Sequence, residues 1–357
     1  MRYTLLVVLL SSLSFAQVKQ PTLTPQWSGT TQLLIAVSPV NSQVVWASGT
    51  GGTFVVTTDG GNHWRSGVVP GAEALQFRDV QGVSANVAYL MSIGDNTTDF
   101  RIYKTSDGGA TWNQQFTNEL AGAFYDCMAF WAPNRGLAHS DSVNGQFPEL
   151  RTLSGQKWHS IESAMPPALS GEASFSSSGT CIATQGDSNA WVTLGGATVS
   201  RILATTDGGN TWNAYDTPLI SNPSAGGLSV AFRDGQHGIV GGGDLAVNYR
   251  IQLATSENGG KTWTLTRKPP IGGTIFALAY ASGSSISATA KDSSDRRVVI
   301  TSEDAPDFAK GAAAWTPDEG ETWYRISGAS GYWGLAFADP SAGWFVGNNG
   351  QILKISF

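Results

Sequence analysis

The stretch Thr57-Thr58-Asp59-Gly60-Gly61-Asn62-His63-Trp64 decides the fold of this chain, because its pattern returns again and again. We call the pattern Ser/Thr-x-Asp-x-Gly-x-x-Trp the octamer. Further good copies occupy 105–112, 205–212, 256–263 (with Asn in place of Asp) and 316–323, and a degenerate copy occupies 151–158. The octamers recur at intervals of about 50 residues, the length of one four-stranded blade of a β-propeller.

Each octamer residue has a physical reason to be there. The acid accepts hydrogen bonds from backbone N–H groups of a tight turn, and the glycine supplies a positive φ that other residues resist. The tryptophan, on the strand that follows, buries a large ring between blades. We therefore assign a structural role, and no catalytic one, to the octamer positions Asp59, Trp64, Asp107, Trp112, Asp207, Trp212, Asn258, Trp263, Asp318 and Trp323.

The octamers also give the number of blades. Six blades carry an octamer, and the chain after Trp323 supplies three more strands before it ends. The missing fourth strand is expected from the N-terminal segment around Trp27, which would close the ring and remove free sheet edges. The prediction is an all-β, seven-bladed propeller of four-stranded antiparallel blades, closed by the N-terminal strand; six blades is the alternative.

Composition and charge exclude several classes of protein. Charged residues make up 13% of the chain and hydrophobic residues 41%, which argues against intrinsic disorder and against a coiled coil. The net charge is −6, with 21 Lys and Arg residues and no basic run. Nucleic acid and anionic membranes are therefore not expected partners. We expect a monomer that needs no cofactor and no metal, since the two Cys and four His residues show no ligand spacing.

The first residues form an export signal. Residues 1–16 combine Arg2, a short apolar core and the cleavage motif Ser14-Phe15-Ala16, as in a secretory signal peptide. A short membrane anchor is the alternative, and no other stretch is long and apolar enough to span a bilayer. We expect residues 17–357 to form a single propeller domain in the periplasm or outside the cell.

The octamer resembles the Asp-box, or BNR repeat, of sialidase-like propellers. The chain also resembles the photosystem II stability/assembly factor-like group, in the segments 102–112 and Gly347-Asn348-Asn349-Gly350-Gln351-Ile352. The first resemblance implies that the octamers lie between the third and fourth strands, on the face away from the binding site. The second implies a non-enzymatic scaffold that binds a protein partner.

An enzyme is the alternative function. The resemblance to sialidases would imply an arginine triad, a Tyr–Glu pair, an Asp acid and a Phe/Tyr-Arg-Ile-Pro motif. The chain has Phe100-Arg101-Ile102-Tyr103 and Tyr249-Arg250-Ile251-Gln252, which both lack the proline. We name no catalytic residue and keep a sialidase-like glycoside hydrolase, or a glycan-binding propeller, as the alternative.

Arginines recur at one point of the repeat. Arg101, Arg201 and Arg250 open third strands, and Arg296 and Arg297 are expected to open the equivalent strand of blade six. The hypothesis is a partial arginine cluster at the channel mouth opposite the octamers, where guanidinium groups bind carboxylates of a partner. The alternative is that each arginine pairs with a local acid such as Asp99, Asp95 or Asp295.

The cysteines, Cys127 and Cys181, fall in or just before the first strands of neighbouring blades. An exported chain favours a disulfide. However, their offsets predict the same side of their respective blades, and packed sheets lie about 10 Å apart, beyond the reach of a disulfide. We therefore predict two free, buried thiols.

Overall fold

A computed structural model of the protein describes residues 19–161, 165–247, 250–282, 295–304 and 311–357. Its strands, β1 to β28, form seven four-stranded antiparallel sheets arranged as the blades of a propeller. The predicted signal peptide, 1–16, lies outside the described residues. Within the described ranges, no helix has the length and apolar character needed to cross a membrane.

Blades one to six each consist of four consecutive strands, and each sheet keeps sequence order. Blade one contains β2 (Leu34–Pro39), β3 (Val45–Gly49), β4 (Thr53–Thr57) and β5 (Arg65–Val68). Blade two contains β6 (Gln76–Gly82), β7 (Ala88–Ile93), β8 (Arg101–Thr105) and β9 (Asn113–Thr117). Blade three contains β10 (Tyr125–Ala132), β11 (Arg135–Ser140), β12 (Glu149–Thr152) and β13 (His159–Ile161).

The second half of the ring repeats this order. Blade four contains β14 (Ile182–Gln185), β15 (Asn189–Thr193), β16 (Arg201–Thr205) and β17 (Asn213–Asp216). Blade five contains β18 (Ala225–Phe232), β19 (Gly238–Asp244), β20 (Gln252–Ser256) and β21 (Thr264–Leu265). Blade six contains β22 (Thr274–Tyr280), β23 (Val298–Glu303), β24 (Ala312–Thr316) and β25 (Tyr324–Ile326). Two short 3₁₀ turns span Thr97–Asp99 and Asn348–Gly350.

Blade seven joins the two ends of the chain. It contains β26 (Tyr332–Asp339), β27 (Ala342–Gly347), β28 (Gln351–Ser356) and, as its outer strand, β1 (Thr22–Trp27). β1 pairs antiparallel with β28, so that Trp27 lies opposite Gln351. The predicted seven blades and N-terminal closure are confirmed, and the six-blade alternative is wrong.

The first strand of each blade is the innermost one and contacts the first strands of the neighbouring blades around a central channel. Aromatic side chains of the second strands bridge to the next blade. The indole N–H of Trp46 donates to the carbonyl of Ser84, and that of Trp191 donates to the carbonyl of Gly259, each at 2.8 Å. Buried hydrophobic side chains form a core between blades one and two and another between blades four and five, and this packing holds the inner strands in place.

The octamers lie between the third and fourth strands of blades one to six, as predicted. Each good octamer folds back on the turn between the first two strands of its own blade; for example, the Gly60 N–H donates to the Gln43 carbonyl at 2.9 Å. The octamer therefore marks the face on which the inner strands end. In blade three Thr152 ends the third strand and accepts the N–H of Gly155, so this degenerate turn is one residue shorter than the others.

The prediction of free thiols is wrong, because Cys127 and Cys181 form a disulfide with a Cα–Cα distance of 6.1 Å. Two facts overturn the argument from alternation and sheet spacing. β10 is bulged on both sides of its centre, between Tyr125 and Cys127 and between Phe130 and Ala132, which breaks the alternation. Inner strands also converge on the propeller axis, so they approach more closely than two sheets packed face to face.

Candidate functional site

The predicted octamer acids are bound within their own turns. In the first octamer Asp59 Oδ1 accepts the Thr57 hydroxyl and the His63 N–H, both at 2.9 Å. The Thr57 hydroxyl in turn accepts the Gly61 N–H at 3.0 Å. The backbone N–H of His63 is the main cause that lowers the pKa of Asp59 to about 2. The same hydroxyl-to-acid contact joins Thr105 and Asp107, Thr205 and Asp207, and Thr316 and Asp318, and in blade five the Ser256 hydroxyl donates to the amide oxygen of Asn258.

Of the three arginines predicted to open third strands, Arg101 and Arg201 do so and Arg250 lies two residues before β20, and their environments differ. Arg101 opens β8 and lies 3.5 Å from Asp99, while its Nε donates to the Thr98 carbonyl at 2.7 Å. Arg201 opens β16 and is only 8% exposed. Arg250 precedes β20 and is exposed. Arg101 and Arg201 therefore have local carboxylate partners, and Arg250 is the one of the three that presents its side chain to solvent.

The expected position of Arg296 and Arg297 is wrong. They precede β23, the second strand of blade six, so they lie on the octamer face and not opposite it. Arg296 Nε donates to Glu319 at 2.8 Å, and Arg297 pairs with Asp295 at 2.5 Å. The connection between the first two strands of blade six is long, which is why the sequence pattern assigned these arginines to the next strand.

A groove on blade five brings Arg250 together with two cations that sequence reasoning missed. Arg250, Arg267 and Lys268 line it beside the apolar side chains of Ile220 and Leu265; we call it the blade-five groove. Its volume is about 390 Å³, and Leu265 is 48% exposed. The adjacent basic pair Arg267-Lys268, which begins two residues after the fourth strand, was the feature of the sequence that could have indicated this groove. A groove with cationic and apolar walls suits an acidic peptide with apolar side chains.

The central channel is blocked by the chain itself. Residues 172–181, which we call the crossing segment, run across it before β14. The Ser176 carbonyl accepts Arg78 of blade two at 3.1 Å, and the Ser177 hydroxyl donates to the Phe276 carbonyl of blade six at 3.1 Å. The Thr180 carbonyl accepts the Val230 N–H of blade five at 3.0 Å. The segment therefore touches blades on several sides of the channel.

A cavity of about 180 Å³ remains between the crossing segment and the octamer face. The second halves of the inner strands form its wall, and Ser178, Gly179 and Thr180 of the crossing segment lie at its other end. Asp79 of β6 contacts this cavity, and its Oδ2 accepts the Met128 N–H at 2.7 Å. Burial raises the pKa of the Asp79 carboxyl well above its usual range.

The N-terminal end of the crossing segment is anchored by a buried ion pair. Arg201 Nε donates to Glu172 Oε1 at 2.7 Å, and its Nη2 lies 2.5 Å from Glu172 Oε2. The Glu172 side chain is fully buried. A bidentate pair of this kind has both good geometry and little competing water. Arg201 is thus engaged by its own chain.

A second cluster of charges lies beside Ser174 of the crossing segment. Asp141 Oδ1 accepts the Ser174 N–H at 2.8 Å, and the Asp126 and Asp141 carboxyl groups interact electrostatically. The Arg78 guanidinium lies near Asp126 and 5.6 Å from the ring centre of Trp333. Burial raises the pKa of Asp141 to about 6, and burial also raises the pKa of Asp126.

Sequence reasoning missed this cluster. The sequence feature that could have indicated it is an acid inside an otherwise apolar strand, Asp126 within Tyr125-Asp126-Cys127-Met128-Ala129-Phe130. Asp141 follows the paired strand of the same hairpin, and Arg78 comes from β6 of blade two. The packing of blade two against blade three brings Arg78 close to Asp126.

Comparisons with known proteins found solved structures with a similar fold. No protein-family model and no curated protein matches the chain. A solved structure described as YCF48 bound to D1 peptide matches with a TM-score of 0.64 at 16% identity, covering 96% of this chain and 96% of that one. YCF48 from Cyanidioschyzon merolae matches with a TM-score of 0.63 at 15% identity, covering 94% of this chain and 98% of that one. The chain shares the propeller fold of YCF48 over almost its whole length.

Proposed function

We propose that this protein is an exported, non-enzymatic propeller scaffold that binds a protein partner. The observation that carries the proposal is the match, over 96% of the chain, to a propeller that was solved with a peptide bound. The sequence resemblance to photosystem II assembly factors supports the same role. The signal-like residues 1–16 support export, and N-terminal sequencing of periplasmic protein should then begin at Gln17.

The blade-five groove is the partner site that the geometry supports best. The groove is lined by three cationic residues, Arg250, Arg267 and Lys268, and is therefore positively charged, whereas the protein as a whole has a net charge of −6. Exposed Leu265 adds apolar surface at the same place. Charge of one sign around an apolar patch selects an acidic partner and speeds its association.

The carboxyl pair beside the channel favours a scaffold over a glycoside hydrolase. Glycosidases hold two carboxyl groups roughly 5 to 9.5 Å apart, with room for sugar or water between them. Asp126 is instead 1% exposed, and Asp141 accepts the Ser174 N–H of the crossing segment. The crossing segment also occupies the part of the channel beside them.

Titration of labelled peptides by fluorescence anisotropy tests the proposal. The probe is a synthetic decapeptide that alternates Glu and Leu, and its Gln–Leu analogue is the neutral control. Combined Arg250→Ala, Arg267→Ala and Lys268→Ala should weaken binding of the acidic peptide by about tenfold or more and reduce its salt dependence.

The matched control removes three exposed cations elsewhere, by Lys157→Ala, Lys261→Ala and Arg325→Ala. This variant has the same net charge and should bind nearly as well as the wild type. Equal loss in both triple variants would mean that only net charge matters. Equal binding of the acidic and neutral peptides would remove the groove as the partner site.

A further inference from the structure

Small side chains line the channel cavity on the octamer side of the crossing segment. The inner strand of each blade contributes one residue to the wall at the same register against its second strand. Blades one and two contribute Ser38 and Gln81, and each of the other five blades contributes an alanine. These alanines are Ala129, Ala183, Ala231, Ala279 and Ala336. We call the seven residues the inner ring.

The closed end of the cavity carries an acid. Asp79 stands two residues before Gln81, and it meets the cavity where Ser178, Gly179 and Thr180 of the crossing segment close it. A Cβ on Gly179 would lie 2.6 Å from Asp79 Oδ1, so the carboxyl group reaches the crossing segment. Among the described residues that line the cavity, Asp79 is the only carboxylic acid, and there is no lysine or arginine.

The contact that Asp79 makes between blades does not require a charge. Its Oδ2 accepts the Met128 N–H of blade three at 2.7 Å. At the equivalent position of blade five, the Ser229 hydroxyl accepts the Leu278 N–H of blade six at 3.0 Å. A neutral hydroxyl therefore makes the same connection, and the acidity of Asp79 has no structural explanation in this contact.

No cation compensates Asp79 within the part of the chain that the structure describes. The neighbouring Arg78 donates instead to the Ser176 carbonyl and lies 5.6 Å from the ring centre of Trp333. Asp79 is 5% exposed, and burial raises the pKa of its carboxyl group. A carboxylate in such a place is costly until a positive group contacts it.

The cavity has room for such a group together with an apolar body. Its volume is about 180 Å³, and a protein cavity of about 150 Å³ is enough to bind benzene. The inner-ring alanines, with Val80, Met128 and Leu278, give the wall its apolar character. Ligand sites commonly combine apolar walls of this kind with a few polar groups that orient the ligand.

We propose that the channel cavity binds a compact apolar ammonium ion, with its charged group against Asp79 at the closed end and its apolar body against the inner ring. The ammonium group supplies the charge and the hydrogen-bond donors that the carboxylate lacks. This site lies on the octamer side of the crossing segment and is separate from the blade-five groove.

Isothermal titration calorimetry of the full-length protein at pH 7 tests the proposal. The probe is benzylammonium chloride, and benzyl alcohol, which has nearly the same shape and no charge, is the comparison. The wild type should bind benzylammonium about tenfold or more tightly than benzyl alcohol, as expected for a hydrogen bond between charged groups. Equal binding of the two ligands, or no heat from either, would overturn the proposal.

Asp79→Asn keeps an oxygen that can accept the Met128 N–H but removes the charge. Binding of benzylammonium should weaken about tenfold or more, and binding of benzyl alcohol should change little, so that the preference between them is lost. If this variant does not fold, Asp79→Ser reproduces the arrangement of Ser229 and should give the same result. A preference retained in the folded variant would contradict the role of Asp79.

Two further variants locate the ligand. Ala336→Leu fills part of the cavity and should weaken binding of both ligands. Asp187→Asn removes a fully exposed acid on the octamer face and should bind both ligands as the wild type does. Unchanged binding in Ala336→Leu, or a lost preference in Asp187→Asn, would place benzylammonium on the surface and refute a site in the channel.

Discussion

The octamer turns and the crossing segment solve the same problem in opposite ways, since each must satisfy polar groups in a non-repetitive stretch of chain. In an octamer the partners are close in sequence, such as Thr57 and Gly61, four residues apart. In the crossing segment Ser176 is bound by Arg78, 98 residues away. A motif whose contacts are local can therefore recur in every blade. The crossing segment, in contrast, finds its partners only when the blades have assembled into a ring.

Removing the disulfide should have the largest effect, because it ties the crossing segment to blade three. The bond joins residues 54 apart, and constraining a loop of that size in the unfolded chain is worth about 4 kcal/mol. Combined Cys127→Ser and Cys181→Ser should lower the free energy of unfolding by about that amount, measured by urea denaturation without reductant. Thiol titration of the denatured wild type should find no free thiol, and two free thiols would contradict the bridge.

Breaking the Arg201–Glu172 pair should have the next largest effect, because it leaves a buried carboxylate without its cation. Arg201→Met should cost about 3 kcal/mol, and Arg201→Met combined with Glu172→Gln should recover part of that loss. The matched control is Arg101→Met at the equivalent position of blade two. Its ion pair with Asp99 is partly exposed, so it should cost about 1 kcal/mol or less. Equal costs at Arg101 and Arg201 would refute the distinction between them.

Removing one octamer hydroxyl should have a smaller and strictly local effect. Thr105→Val keeps the shape of a fully buried side chain but leaves the Gly109 N–H without its acceptor. We expect a loss of about 1 to 2 kcal/mol in unfolding free energy. Exchange should rise at the blade-two octamer and stay unchanged in the crossing segment, and a change at Ser174 would show that the two regions are coupled.

The smallest effect concerns the octamer acids, whose pKa values are lowered by hydrogen bonds within the turn. Hydrogen bonds, first from the Thr111 hydroxyl and then from its N–H, lower the pKa of Asp107 to about 2. Its contribution to stability is therefore complete above about pH 4 and is lost as the pH falls toward 2. The stability difference between wild type and Asp107→Asn should shrink over that range in urea titrations. A difference that grows on acidification would contradict this account.

The arginines show how far a repeat pattern can predict a site. Arg101 and Arg201, which the sequence places six residues before the octamer acid, open third strands, and Arg250, eight residues before Asn258, lies two residues ahead of β20. The prediction was wrong for Arg296 and Arg297, because the connection between the first two strands of blade six is long and these arginines precede the second strand. It also gave no information about pairing, because the partner of Arg201 is Glu172, in the connection before blade four.

The repeat, the octamer turns, the seven blades and the closure by the Trp27 strand could all be predicted from the sequence. Each of them rests on contacts within one blade or on counting strands. The Cys127–Cys181 bridge and the position of the crossing segment could be read only from the folded protein. These depend on how closely the inner strands approach the axis and on where bulges in β10 turn side chains. The approach of the inner strands is a property of the closed ring, in which residues far apart in sequence become neighbours.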